Sequence, residues 1–163
     1  MKLVLCITAM LIMLGSKAVY AQTSDAEAEA IVNLLGVQKK EAMRQLVMVS
    51  KKDSAVFWKI YDEYQVVNKT EAISRIKLYE RTALAYGDMS ASVADSLAMK
   101  YFKNRSVQEK DLQEYYKKIK AATNAMVAFE FYQAEIYMLT QLRASIMQQI
   151  PAYGQLVNAS RKN

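Results

Sequence analysis

Histidine is absent from this 163-residue chain, cysteine and proline occur once each, and glycine four times. Without an imidazole there is no Ser-His-Asp or Cys-His catalytic pair, no HExxH zinc site and no Glu-x-x-His di-iron site. Nor does the chain contain the GxxxxGK[ST] loop that cradles nucleotide phosphates. It therefore reads as non-enzymatic, with no catalytic residue, metal or cofactor assigned. So little Gly and Pro leaves few turns for a many-stranded sheet, while Ala, Leu, Met, Glu, Gln, Lys and Arg favour long helices. The expected class is all-α in a single domain.

What is present begins with an address. Lys2 is followed by the uncharged apolar run Leu3–Leu14, then Gly15-Ser16 and Val19-Tyr20-Ala21, the pattern of a secretory signal peptide cleaved after Ala21. The run falls short of the roughly 20 residues that span a bilayer. Cys6 lies inside it and is expected to leave with residues 1–21. Removing those residues, whose only charges are Lys2 and Lys17, would leave 142 residues at net charge +4 with neither Cys nor His. An exported chain without disulfides must rely on its apolar core, for which this length suffices. Asn68, Asn104 and Asn158 head Asn-x-Ser/Thr triplets, but small secreted eukaryotic domains generally use disulfides, so a bacterial periplasm is the expected location.

The rest, residues 22–150 with a polar tail at 151–163, reads as helices with stops. Ser24 and Glu27 form a capping box, and Gly36 supplies a matching stop. A second short helix is expected over Val37–Val49, after which Ser50 and Asp53 repeat the capping spacing. From Lys51 neither Gly nor Pro occurs until Gly87, allowing a helix of about 36 residues and about 54 Å. Phe57, Ile60, Tyr61, Tyr64 and Val67 begin its apolar stripe, which Ala72, Ile76, Tyr79, Ala83 and Tyr86 resume beyond the polar run Asn68–Glu71. Gly87 is expected to take a positive φ where this helix ends, with Ser90 or Ser92 capping a partner that runs to about Lys120. That partner carries Val93, Leu97, Tyr101 and Phe102 on one side. Thr123 or Asn124 would cap a last helix, about Ala125 to Gln149, in which Phe129, Tyr132, Ile136, Leu139 and Ile146 form one row. The architecture expected is a long antiparallel hairpin with a C-terminal apolar helix and short N-terminal helices, a bundle or cradle open to dimerisation.

The stretch Ser50-x-x-Asp53-x-x-x-Phe57-Trp58-x-x-Tyr61-x-x-Tyr64 is the most distinctive. Its plain reading is a cap followed by core aromatics; its sharper reading is a protein-binding surface of Trp58, Tyr61 and Tyr64 with Lys51 and Lys52, since Trp and Tyr are favoured at interfaces. Glu130 and Glu135 sit in the apolar last helix, where a lone carboxylate is costly, so Glu135 is expected to pair with Arg75 or Arg81. Lys and Arg are interspersed with Asp and Glu, which argues against nucleic acid as a partner.

The chain resembles uncharacterised exported helical proteins of Gram-negative bacteria, common among Bacteroidetes and distantly similar to the Spy/CpxP-like periplasmic family. The carrying stretches are Met48–Asp53, Phe57–Tyr64, Phe131-Tyr132-Gln133-Ala134-Glu135 and Ile150-Pro151. Where that family has Leu-Thr-x-x-Gln, this chain has Val49-Ser50-Lys51-Lys52-Asp53, and Glu130 stands before Phe131 where a basic residue is expected. The resemblance implies an all-α periplasmic protein that binds unfolded or envelope-stress proteins without ATP. The alternative is a structural, self-assembling helical dimer that docks to an envelope complex.

Overall fold

The all-α expectation holds among the described residues, 25–148 of a computed structural model, which contain four helices and no strand. These are α1 (Asp25–Leu46), α2 (Ser54–Ala85), α3 (Ala91–Ala122) and α4 (Ala125–Met147). The segment read as a leader, with its expected cleavage point, and Ser24, Pro151 and the tail at 151–163 lie outside the described residues.

Gly36 does not stop a helix. A single α1 runs through it, so the expected division at residues 36 and 37 is corrected. An interior glycine costs about 1 kcal/mol relative to alanine. Contacts on both sides of it override that cost. Ala28, Ala42, Met43 and Val47 are buried, and Lys69 and Glu135 hold Glu29 and Lys39 by ion pairs of 2.6 and 2.9 Å. The connector that follows is fixed by Ser50, whose hydroxyl donates to the Asp53 carboxylate at 2.8 Å and accepts from the Asp53 amide at 3.3 Å.

α2 continues unbroken through Asn68–Glu71, because Asn68 turns inward and is buried. It ends without a left-handed glycine. Gly87 keeps a negative φ, contrary to expectation, and the turn is closed by the Asp88 amide on the Ala85 carbonyl at 3.2 Å. Ser90 caps α3 by accepting from the Val93 amide, and Asn124 caps α4 by accepting from the amides of Met126 and Val127 at 2.9 and 3.1 Å. These are amides that the helix itself leaves without partners.

α2 and α3 run antiparallel: Tyr64 meets Tyr115, Arg75 meets Gln108, and Thr82 meets Tyr101. α2 and α4 each pack against the other three helices, so every element shares one core. That core is concentrated where all four meet, around Met43, Phe57, Tyr61, Tyr64, Leu112, Ile119 and Phe131, each with no exposed surface. The buried face of α4 is Val127, Ala128, Phe131, Ala134 and Glu135. Phe129 and, on α3, Phe102 turn outward instead, 52% and 66% exposed.

Candidate functional site

Phe57, Tyr61 and Tyr64 fall on the inner face of α2 because their spacing of four and three residues repeats the helical turn. Their rings meet Phe131 and Tyr115 from α4 and α3: Tyr64 stands edge-on to Phe131 at 5.4 Å and lies 5.3 Å from Tyr115, and Tyr61 stands edge-on to Phe131 at 6.2 Å. Such tilted and edge-on pairs match the charge distribution of aromatic rings. Tyr61 and Tyr64 are wholly buried, so this fold withdraws them from the protein-binding surface read from the sequence and makes them core. Trp58, one residue off that face, is half-buried. It packs edge-on to Phe57 and Tyr61, and Lys40 Nζ and the Arg44 guanidinium lie 5.8 and 5.2 Å from its ring centre. Lys51 and Lys52 are exposed on the connector.

At the centre of the aromatic layer is Glu135, fully buried. Its partner is neither Arg75 nor Arg81. Lys39 of α1 reaches its Oε2 at 2.9 Å, Tyr64 donates to the same oxygen at 3.0 Å, and Tyr61 lies 3.4 Å from Oε1. Arg81 is exposed and 17 positions beyond Tyr64 on α2, about 25 Å along the axis, out of reach of this carboxylate. Gln65 donates to the Tyr61 hydroxyl at 2.9 Å and Asn68 to the Tyr64 hydroxyl at 3.3 Å, which extends the network along α2. Burial, and then the charge of Glu135, pushes both phenols well above the ordinary tyrosine range. The two phenols stay protonated toward the carboxylate, and neither is poised as an acid or base near neutrality.

Arg75 is buried further along α2. Its Nη1 donates to Gln108 Oε1 at 2.6 Å and lies 3.5 Å from Asn104 Oδ1, while Asn104 donates to the Glu71 carboxylate at 2.7 Å. Burial lowers the Arg75 pKa, opposed by nearby tyrosines and, less strongly, by the charges of Glu135 and Glu71. Sequence reading placed this residue in an ion pair. It is held by neutral amides, a choice made by helices 33 positions apart that periodicity cannot see.

Two surfaces surround this interior. One is a groove of about 390 Å³ between α1, α2 and α4, with Leu35, Ile76, Leu139 and Leu142 among its walls and Lys39, Lys40, Lys69 and Arg75 among its cations. The other lies at the bundle end near the connector. There Glu130 of α4 accepts from the Met48 amide at 2.8 Å, and Met126 and Phe129 stand four positions and one position before Glu130 on the same helix. Met48, Met126 and Phe129 are 79%, 65% and 52% exposed. The described residues contain no group of three or more His, Cys, Asp or Glu placed to hold a metal ion, and no helix long and apolar enough to cross a membrane. Comparison of the chain with protein-family models, with curated proteins and with solved structures finds no match.

Proposed function

We propose that this is a non-enzymatic, exported helical protein of the bacterial periplasm that binds other proteins, holding unfolded or stress-damaged chains without ATP in the manner of the Spy/CpxP-like family it resembles. The observation that carries this reading is that Met48, Met126 and Phe129 are left exposed at the end where Glu130 holds the Met48 amide, with Lys51 and Lys52 exposed on the connector that follows Met48. Large apolar side chains left in water and rimmed by charge suit partner contact. Methionine adds a flexible, polarisable surface that adapts to varied sequences. Lys51 and Lys52 stay in the proposed contact, and Trp58 contributes its outer edge, its ring packed edge-on against Phe57 and Tyr61.

The test is dilution of a chemically denatured enzyme into buffer containing an equimolar or larger amount of the purified protein, with aggregation followed by light scattering. Suppression without nucleotide is expected, together with its loss in the Met126→Ser/Phe129→Ser double variant. No suppression by the wild-type chain overturns the proposal. Concentration-dependent self-association abolished by the same double variant, with no effect on the client, would move this face to the alternative role of helical dimer.

A further inference from the structure

Two buried groups on α2 have demands that the fold leaves unmet. Arg75 is 5% exposed, and its guanidinium, held by Gln108 and Asn104, has no carboxylate at ion-pair distance among the described residues. Asn68 is 3% exposed; its amide nitrogen is used on the Tyr64 hydroxyl, but its Oδ1 receives no hydrogen bond. A buried cation and a buried acceptor left this way each cost free energy. Both residues line the groove between α1, α2 and α4. The other cations in its lining are matched: Lys39 by Glu135, Lys40 by Asp62 and Lys69 by Glu29. Arg75 is thus the cation of the groove with no carboxylate at ion-pair distance among the described residues, the charges of Glu135 and Glu71 acting on it from further off.

These two demands select a ligand. A cationic or purely apolar molecule leaves Arg75 as it is, and a simple carboxylate answers Arg75 but brings no donor for Asn68. Asn68 and Arg75 are two turns apart on one helical face, about 10 Å along the axis. The Arg75 guanidinium is held by its Nη1 on Gln108 and Asn104 of α3, and its other N–H groups have no partner among the described residues. The groove volume of about 390 Å³ lies at the small end of ligand clefts, enough for a residue or two with apolar side chains.

We propose that this groove binds the C-terminal end of an apolar peptide, with the terminal carboxylate on Arg75, a main-chain N–H on Asn68 Oδ1, and apolar side chains against Leu35, Ile76, Leu139 and Leu142. The groove is separate from the exposed Met48, Met126 and Phe129, so peptide capture and aggregation suppression succeed or fail independently. Charge-assisted hydrogen bonds to a carboxylate are the strongest single contact available here.

The experiment is isothermal titration of the purified protein with N-acetyl-Ala-Leu-Leu as the free acid, with the same peptide as its C-terminal amide, and with dodecanoate below its micellar concentration. The free acid is expected to bind about tenfold or more tightly than the amide. Val66 is 76% exposed at the groove edge, so Val66→Glu places a negative charge there without disturbing the core. It is expected to weaken the free acid about fivefold or more with the melting temperature unchanged. Arg75→Gln should erase the preference for acid over amide; if that variant does not fold, Val66→Glu and the acid-to-amide ratio decide. Equal binding of acid and amide, binding of neither, or an unaffected Val66→Glu overturns the proposal. Binding of dodecanoate without the peptide acid overturns it in favour of a lipid chain.

Discussion

The two ends of the helical bundle are built differently. At the connector end four helices close over Phe57, Tyr61, Tyr64, Tyr115 and Phe131, with the buried carboxylate of Glu135 in their midst, paired to a half-buried Lys39. At the opposite end, where α2 turns into α3, the buried set is sparser: Ile76, Leu78, Tyr79 and Leu97. There the tie is polar. The Tyr101 hydroxyl donates to the Leu78 carbonyl at 3.0 Å and meets the Thr82 hydroxyl at 2.7 Å, while its ring lies 5.9 Å from that of Tyr79. The difference teaches where stability resides. A layer contributed by four helices is held by burial, whereas the end with the sparser buried set is fastened by individual hydrogen bonds.

The largest effect should come from breaking the closed end at its charge. Glu135→Ala leaves Lys39 and two phenols without their acceptor and is expected to cost about 3–5 kcal/mol, against about 1 kcal/mol for Tyr101→Phe at the open end. Urea unfolding of the two variants measures both. Near-equal losses would erase the distinction between the ends.

Alkali should act on the same contrast more gently. The folded-state pKa values of Tyr61 and Tyr64 lie above the ordinary value of about 10, so above that pH the unfolded chain releases phenolic protons that the native chain retains. Their contribution is fully present below about pH 10 and declines as pH rises further, by up to about 1.4 kcal/mol per pH unit for each tyrosine. Unfolding free energies measured between pH 8 and 11 should fall less steeply in Tyr64→Phe than in the wild type. A parallel pH dependence would show that this phenol does not resist ionisation.

The smallest expected change sharpens the account of α1. Gly36 lies inside a continuous helix, and a Cβ added there meets nothing within 4 Å. Gly36→Ala should therefore raise stability by about 0.5–1 kcal/mol, seen as a higher melting temperature. A loss would return Gly36 to the role of helix stop.

Much of this architecture was legible in the residues. Scarce Gly and Pro indicated helices, Ser90 and Asn124 carried cap chemistry, and the spacing of Phe57, Tyr61 and Tyr64 marked an inner face. Periodicity does not say how strongly a neighbour will press on a helix, so Gly36 read as a stop, and Phe102 and Phe129 read as members of buried rows. Least legible was the interior polar wiring. The need of Glu135 for a partner follows from its apolar surroundings, but Lys39 is 96 positions away, and only the packing of α1 against α4 selects it over the arginines. Asn68 looked like part of a solvated interruption, and its burial follows from standing one turn beyond Tyr64.

The ion pair between Lys39 and Glu135 also bears on how the chain assembles. It joins residues 96 positions apart, further in sequence than the contacts of Tyr61 and Tyr64 with the same carboxylate, and closing long loops slows folding. The carboxylate must surrender its hydration as Lys39 arrives, which ties the docking of α1 to the final drying of the core. The seating of α1 on α4 thus supplies the cation that the interior carboxylate requires.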